Sequence, residues 1–162
     1  MDKNAKTMFV DLEYSKLEKA EMIIHLDKLH TSYQVYSHKV RQFFWNVIGQ
    51  DHFNLRTKFK AFYSKAFNHM DDIAERIRLF DQQTTGKWTD ILKISEIKES
   101  ESDLTSFEMV KAIVADLRIL LSIQSDCIEK AKDLGDYGTE SMMKDHLKEL
   151  ELDYLSLVSW LK

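Results

Sequence analysis

The sequence predicts an all-α protein with four long helices packed as a bundle. Its 162 residues contain no proline and only four glycines, which suits long uninterrupted helices better than a fold with many tight turns. Apolar residues recur at steps of three and four in four long segments, the spacing of one helix face. A long connection separates the second and third of these segments, as in bundles with one crossover connection.

The first two helices are predicted on either side of a glycine turn. The first runs from about residue 17 to residue 47 and ends before a Gly-Gln-Asp turn that starts at Gly49. Its predicted inward-facing residues are Leu26, Leu29, Tyr33, Tyr36, Val40 and Phe44. The second runs from about residue 53 to residue 80. Its predicted inward-facing residues are Phe59, Phe62, Phe67, Met70, Ile73 and Ile77.

The connection after the second helix is polar and charged. Residues 81–86 read as a polar linker, residues 89–93 as a short extra helix, and residues 96–103 as a charged loop without periodicity. No internal repeat or second-domain boundary interrupts the pattern. We therefore expect one domain over residues 1–162, of which about the first 16 form an N-terminal tail.

The last two long helices follow this loop. The third is predicted to start at Ser102 or Asp103 and to reach about residue 134, and Thr139 is predicted to cap the fourth, which ends near residue 160. Their predicted inward-facing residues are Val110, Val114, Leu117, Leu121 and Ile128, then Met143, Leu147, Leu150, Tyr154, Leu155 and Val158.

Charge and cysteine content narrow the classes of function. The net charge is −4, and affinity for nucleic acid comes mainly from Lys and Arg on phosphates, so DNA binding through Lys3 and Lys6 of the tail is predicted to be weak. The single cysteine, Cys127, excludes an internal disulfide and a Cys-rich zinc site. No apolar run approaches the roughly 20 residues of a bilayer span, and no signal-peptide core opens the chain. We expect a cytoplasmic protein with no membrane partner.

Common catalytic signatures are absent from the sequence. It has no Gly-rich phosphate loop, no His-Glu-x-x-His and no Cys-x-x-Cys. No glutamate is followed three residues later by histidine, so a di-iron carboxylate site inside one bundle is not expected. The six histidines are interpreted as surface or satisfied boundary residues, because a metal ligand needs partners at suitable spacing.

Four charged residues form one stripe on the second helix. Arg56, Lys60, Asp71 and Glu75 are separated by steps of four, eleven and four residues, and at about 100° per residue these steps return to nearly the same face. Arg56 and Asp71 are about 22 Å apart along the axis and cannot meet within one helix. Two antiparallel copies across a two-fold axis would pair cations with carboxylates twice. The alternative interpretation is a solvated charged face.

Two strings around this stripe resemble the Dps family. Phe44-Trp45-Asn46-Val47 is similar to the family's His-Trp-Asn-Val, and Phe53-Asn54-Leu55-Arg56 stands where the family has a Phe followed by Leu-His. Asp71-Asp72-Ile73-Ala74-Glu75-Arg76-Ile77 is similar to its Asp-x-Ile-Ala-Glu-Arg-Ile. The resemblance covers about residues 17–161.

The resemblance implies a ferritin-like four-helix bundle with a short extra helix between the second and third long helices. It implies a homo-oligomer, a hollow dodecamer built on two-fold dimers, that oxidises iron(II) with peroxide or oxygen and stores the mineral. Some members of the family also bind and protect DNA. The family's ferroxidase centre lies at the two-fold interface, between two histidines and an aspartate of one subunit and an aspartate and a glutamate of the next.

Carried over by position, the resemblance leaves only part of this centre. Asp71 and Glu75 match the aspartate and glutamate ligands, whereas Phe44 and Arg56 stand at the two histidine positions and Lys60 at the additional aspartate. Phenylalanine offers no lone pair and arginine carries only donors. Iron binding at this position is expected to be weak or absent. We expect instead that Arg56 and Lys60 pair with Asp71 and Glu75 of a neighbouring subunit.

The resemblance also implies an acidic pore near the turn into the fourth helix. Several customary acid positions fall on Lys132, Tyr137 and Ser141, and Asp133, Asp136 and Glu140 are nearby candidates to replace them.

Three functions remain open at the sequence level. The first is a Dps-like shell for iron sequestration and DNA protection whose ferroxidase activity is lost or weakened. The second is an active ferroxidase in which Asp71 and Glu75 use other ligands, such as His38 or His52. The third is a helical interaction protein with no role in iron chemistry.

Overall fold

The computed structural model describes residues 14–162, and the predicted N-terminal tail lies outside them up to residue 13. Five helices follow one another, with no strand in the described part of the chain. They are α1 (Lys16–Asn46), α2 (His52–Leu79), α3 (Trp88–Ile94), α4 (Ser106–Asp133) and α5 (Tyr137–Trp160). The all-α prediction is confirmed, as is the short extra helix in the connection from α2 to α4. Over these residues, no helix combines the length and apolar character that a bilayer crossing requires.

Capping boxes mark the starts of α1 and α4. Ser15 accepts a hydrogen bond from the backbone of Glu18, whose side chain returns one to Ser15, so a capping box opens α1. Thr105 and Glu108 form the same arrangement at α4. The predicted start of the third long helix at Ser102 or Asp103 is therefore wrong by a few residues, because the capping box with Glu108 selects Thr105.

The cap of α5 also differs from the prediction. Asp136 is the N-cap, and its carboxylate accepts a hydrogen bond from the backbone N–H of Thr139 at 3.1 Å. Thr139 is thus the third residue of the helix instead of its cap. Gly135 takes a positive φ of 68° between α4 and α5, the left-handed conformation that glycine adopts without strain.

The core lies between α1, α2, α4 and α5, and α3 closes one side with Ile91. Most of the predicted inward-facing residues are buried or pack against the core. Two predictions are wrong: Phe67 and Leu155 are 39% and 60% exposed. Both lie at the edge of a helix stripe, where periodicity gives the direction of a side chain but not which neighbour covers it.

Candidate metal centre

The positions carried over from the resemblance lie on the last turn of α1 and along α2. Phe44 is half-buried near the end of α1, and its ring packs edge-on against Tyr63 at 5.6 Å between centroids. The Arg56 guanidinium lies over the Phe44 ring, 4.2 Å from its centroid. Arg56 Nη1 also donates a hydrogen bond to the Phe44 carbonyl at 3.3 Å. Stacking on an aromatic face together with a carbonyl contact holds the cation in place.

The other three positions point outward from the bundle. Lys60, Asp71 and Glu75 are exposed, and none of them forms an ion pair with another residue in the range 14–162. Arg56 lies fifteen residues from Asp71 on the same helix, about 22 Å along the axis. The four charges of the predicted stripe thus share an outward face, and one chain does not bring its cations to its carboxylates.

The histidines expected as alternative ligands have other contacts. His38 is exposed and packs against Trp88 at 6.0 Å between ring centroids. His52 Nδ1 donates to the Val47 carbonyl at 2.6 Å. The histidine that interacts with Asp71 is the buried His30: burial lowers the pKa of His30, while the Asp27 and Asp71 carboxylates act in the opposite direction. The proximity of His30 on α1 to Asp71 on α2 becomes evident only when α1 packs against α2.

This donor set does not suit iron within one chain. A phenyl ring and a guanidinium supply no lone pair for a metal, and the two carboxylates face away from the bundle. Over residues 14–162, no three His, Cys, Asp or Glu side chains surround a common point at ligand distance. We call Phe44, Arg56, Lys60, Asp71 and Glu75 together the remnant position. It offers two carboxylates and two cations, a set suited to ion pairing.

Five large apolar residues, which we call the apolar collar, are exposed on α1 to α3, the part of the chain that also carries the charged stripe. Trp45, Ile48, Phe53, Phe67 and Trp88 are each 39–82% exposed, and all lie on α1, α2, α3 or the turn between α1 and α2. Single exposed apolar residues are ordinary, but a contiguous set of large ones marks an association surface. The exposed apolar residues of α1 to α3, together with the charged stripe on α2, are thus suited to burial against another protein.

The arginine of the Asp-x-Ile-Ala-Glu-Arg-Ile string serves the fold. Arg76 Nε donates to Thr139 Oγ1 at 2.6 Å, and Arg76 Nη2 pairs with Asp136 Oδ1. The guanidinium passes so close to Gly138 that a Cβ there would lie 3.1 Å from its nitrogens. Arg76 thereby fixes the turn from α4 to α5 onto α2.

This network corrects one expectation about the acidic pore. Asp136 is only 2% exposed and its carboxylate is bound by Arg76, so it does not offer a charge to solvent. Glu140 is paired with Lys144. Asp133 remains exposed, as the one of the three candidates without an ion pair to another described residue.

A second cluster, which sequence reasoning missed, lies between α2 and α5. The imidazoles of His69 and His146 are stacked, with 3.8 Å between centroids and 17° between planes. His69 Nε2 lies 3.2 Å from Glu149 Oε2, and His146 Nε2 lies 2.9 Å from Asp72 Oδ2. We call these four residues the His69–His146 cluster. The two histidines are 77 positions apart in the sequence, so no local motif indicates their contact.

This cluster borders an open cavity on one side and the core on the other. The cavity measures about 330 Å³ and is also lined by Lys65, Asn68, Met142 and Asp145. On the core side, His69 Nδ1 lies 3.0 Å from the hydroxyl of the buried Tyr33. Burial, followed by the neighbouring His146 and Lys65, lowers the pKa of His69 to about 3. His69 is therefore a neutral imidazole at ordinary pH.

Comparison with known proteins places the chain in the ferritin-like family. A family model described as a ferritin-like domain matches residues 23–161. An uncharacterised protein of Haemophilus influenzae is 33% identical over 84% of this chain and 85% of its own length. DNA protection during starvation protein 2 of Bacillus anthracis is 30% identical over 81% of this chain and 90% of its own length.

Solved structures of Dps proteins have the same fold as this chain. A Dps protein of Vibrio cholerae, described as a member of a broad superfamily of ferritin-like diiron-carboxylate proteins, superposes with a TM-score of 0.87 at 30% identity, covering 90% of this chain and 92% of that one. The Dps protein of Bacillus brevis gives a TM-score of 0.88 at 25% identity, with 92% of this chain and 100% of that one covered.

Proposed function

We propose that this chain, which belongs to the ferritin-like family as a Dps-type member, forms a shell that sequesters iron and protects DNA. In this shell the two-fold ferroxidase position is replaced by an ion-pair contact between subunits. We place the whole chain, residues 1–162, in one domain of this type.

The observation that carries the loss of iron oxidation is the position of Arg56. Its guanidinium is held 4.2 Å over the Phe44 ring and bonded to the Phe44 carbonyl, where the resemblance places two histidine ligands. Two charges of +1 and +2 about 5 Å apart repel each other by about 7 kcal/mol at an effective dielectric constant near 20. Iron(II) beside Arg56 would have to overcome this repulsion with only Asp71 and Glu75 as ligands.

The same charges support a two-fold contact. Each chain contributes +2 from Arg56 and Lys60 and −2 from Asp71 and Glu75, all on the outward face of α2. Antiparallel pairing of two α2 helices matches each cation pair with the carboxylate pair of the other chain. Such a contact would also cover part of the apolar collar, whose burial contributes roughly 25 cal/mol per Å². A planar guanidinium is well suited to a bidentate carboxylate contact.

The iron chemistry is tested by following iron(II) oxidation with peroxide or oxygen against a protein-free blank. We expect the rate to equal the blank. The matched control is a ligand-restored variant, Phe44→His with Arg56→His and Lys60→Asp, which returns both imidazoles and the third carboxylate. We expect it to accelerate oxidation, and changing Asp71→Asn in it should abolish the gain.

A clear acceleration by the unmodified protein would contradict the loss of the site. It would favour the active-ferroxidase alternative, in which Asp71 and Glu75 act with other ligands such as the buried His30. A further Asp71→Asn change in the unmodified protein would then show whether the oxidation uses the remnant position.

The assembly is tested by particle size. We expect light scattering and sedimentation to give one closed species near twelve chains, and the variant Arg56→Ala with Lys60→Ala to shift it towards smaller species at low salt. The control Lys144→Ala with Lys148→Ala removes the same charge from α5 and should leave the size unchanged. A monomeric unmodified protein would favour the helical interaction protein without an iron role.

Protection of DNA is expected to occur mainly through iron sequestration. The net charge of −4 opposes tight binding to phosphates, and Lys3 and Lys6 lie outside the described residues. We expect DNA retention in gel shifts to be weak and to disappear at moderate salt. Retention that persists at high salt would contradict this expectation.

A further inference from the structure

The hydrogen bonds behind His69 provide an acceptor for a proton on its Nδ1. Gln124 Nε2 donates to the Met143 carbonyl at 3.0 Å, which leaves Gln124 Oε1 facing the Tyr33 hydroxyl at 3.3 Å. An amide oxygen only accepts, so Tyr33 can direct its single proton to Gln124. The Tyr33 oxygen is then an acceptor for His69 Nδ1, 3.0 Å away.

A neutral imidazole has one N–H. Without an ion, the Nε2–H tautomer of His69 donates a hydrogen bond to Glu149 Oε2 at 3.2 Å. With the proton on Nδ1 and donated to Tyr33, Nε2 instead offers its lone pair to a cation that takes the place of this proton beside Glu149. Metal-binding histidines in proteins have this arrangement, in which the second ring nitrogen donates to a fixed acceptor.

The spacing of His69 Nε2 and Glu149 Oε2 also suits neighbouring ligands on one metal. With metal–nitrogen and metal–oxygen bonds of about 2.1 Å, adjacent ligands are about 3.4 Å apart in a tetrahedral site and about 3.0 Å apart in an octahedral one. The observed 3.2 Å between Nε2 and Oε2 lies between these values. The second pair, His146 Nε2 and Asp72 Oδ2, is 2.9 Å apart.

The carboxylates of the cavity have room to bind a cation. Side chains of Glu149 and Asp72 are 51% and 52% exposed, so both carboxylates are free to rotate towards an ion. Lys65 is 3.0 Å from both carboxylate oxygens of Asp153 and also forms an ion pair of 3.9 Å with Glu149, which an ion bound by Glu149 would displace. His146 is 6% exposed and its Nδ1 has no hydrogen-bond partner within residues 14–162.

We propose that the His69–His146 cluster binds a divalent transition-metal ion of the zinc, cobalt(II) or iron(II) class. His69 Nε2 and Glu149 are its first pair of ligands, and Asp72 and His146 supply the rest after a side-chain rotation, because no three donors of the described chain converge on one point now. Two imidazoles and two carboxylates form a donor set that suits these ions. The site lies apart from the remnant position and does not depend on shell assembly.

The test is titration of the purified full chain with cobalt(II), followed by visible absorption, and with zinc(II), followed by calorimetry. We expect one site per chain. Glu149→Gln, an exposed change that leaves the fold intact, should lower affinity at least about tenfold, and His69→Gln at least about a hundredfold. Tyr33→Phe, which removes the acceptor for Nδ1–H, should lower it about 10–100-fold.

The matched control is Asp71→Asn with Glu75→Gln, which removes the remnant carboxylates and should leave cobalt affinity and the absorption band unchanged. Loss of the band in this control, with its retention in Glu149→Gln, would overturn the proposal. Weak binding that none of these substitutions alters would overturn it as well, since it would indicate only scattered surface carboxylates.

Discussion

Replacing Arg76 with methionine should destabilise the protein by about 3–5 kcal/mol. The methionine keeps the volume of the side chain and removes both contacts to the start of α5, with Asp136 Oδ1 and Thr139 Oγ1. Asp136 is 2% exposed, and its other oxygen, Oδ2, already lacks a hydrogen-bond partner. The change therefore leaves a buried carboxylate with only the Thr139 N–H at 3.1 Å. Removal of one member of a buried ion pair costs about this much.

The assay is urea unfolding followed by helical circular dichroism, with the midpoint and the slope fitted separately. We expect the midpoint to fall while the slope stays constant, because the surface exposed on unfolding is unchanged. Lys58→Met is the control, since Lys58 is exposed on the same helix, and its effect should stay within about 1 kcal/mol. Arg76→Met with Asp136→Asn should recover part of the loss, because the unpaired charge is gone.

A loss below about 1 kcal/mol for Arg76→Met would refute this reasoning. It would mean that water reaches Asp136 when the guanidinium is removed, so that the turn from α4 to α5 does not rely on α2. If Arg76→Met lowers the free energy of unfolding as expected but Arg76→Met with Asp136→Asn recovers none of it, the effect would instead come from packing around Gly138, where the guanidinium fills the space of a Cβ.

Two other predictions concern groups buried in the bundle. Lys39 and Asp116 form an ion pair of 2.7 Å in which both side chains are 7% exposed. In urea unfolding, Lys39→Met alone should lower the free energy of unfolding by about 3–5 kcal/mol, whereas Lys39→Met with Asp116→Leu should change it little. Equal losses in the single and double variants would contradict this expectation. Burial raises the pKa of Cys127 to about 12, so only about one molecule in 10⁴ carries the thiolate at pH 8. Ellman's reagent should react with it only as fast as the protein unfolds, and rapid labelling of folded protein would disagree.

Periodicity was sufficient to predict the helices, because each is long and has a continuous apolar stripe. Periodicity did not locate the helix ends, because the choice of Thr105 over Ser102 as N-cap depends on the carboxylate of Glu108. Asp136 caps α5 while it is also bound by Arg76, a residue sixty positions earlier. Such long-range partners are not encoded in local spacing, and only the packed helices reveal them.

The candidate site residues were also predictable from the sequence only where they lie on one helix. Arg56 and Asp71 were recognisable in one helix because regular geometry places them on one face. His69 and His146 belong to different helices, and their stacking follows from the packing of α2 against α5. Nothing in either local sequence distinguishes these two histidines from the four others.

Neighbouring aspartates on α2 serve two different faces. Asp71 and Asp72 are adjacent, so their side chains point about 100° apart. Asp71 shares the outward stripe with Arg56, whereas Asp72 accepts a hydrogen bond from His146 on α5. Metal binding that is proposed to be absent from the first face can thus occur on the second without any change in the helix. If both proposals hold, Asp71→Asn weakens only subunit pairing and Asp72→Asn weakens only metal binding, so the adjacent pair separates the two roles within one turn.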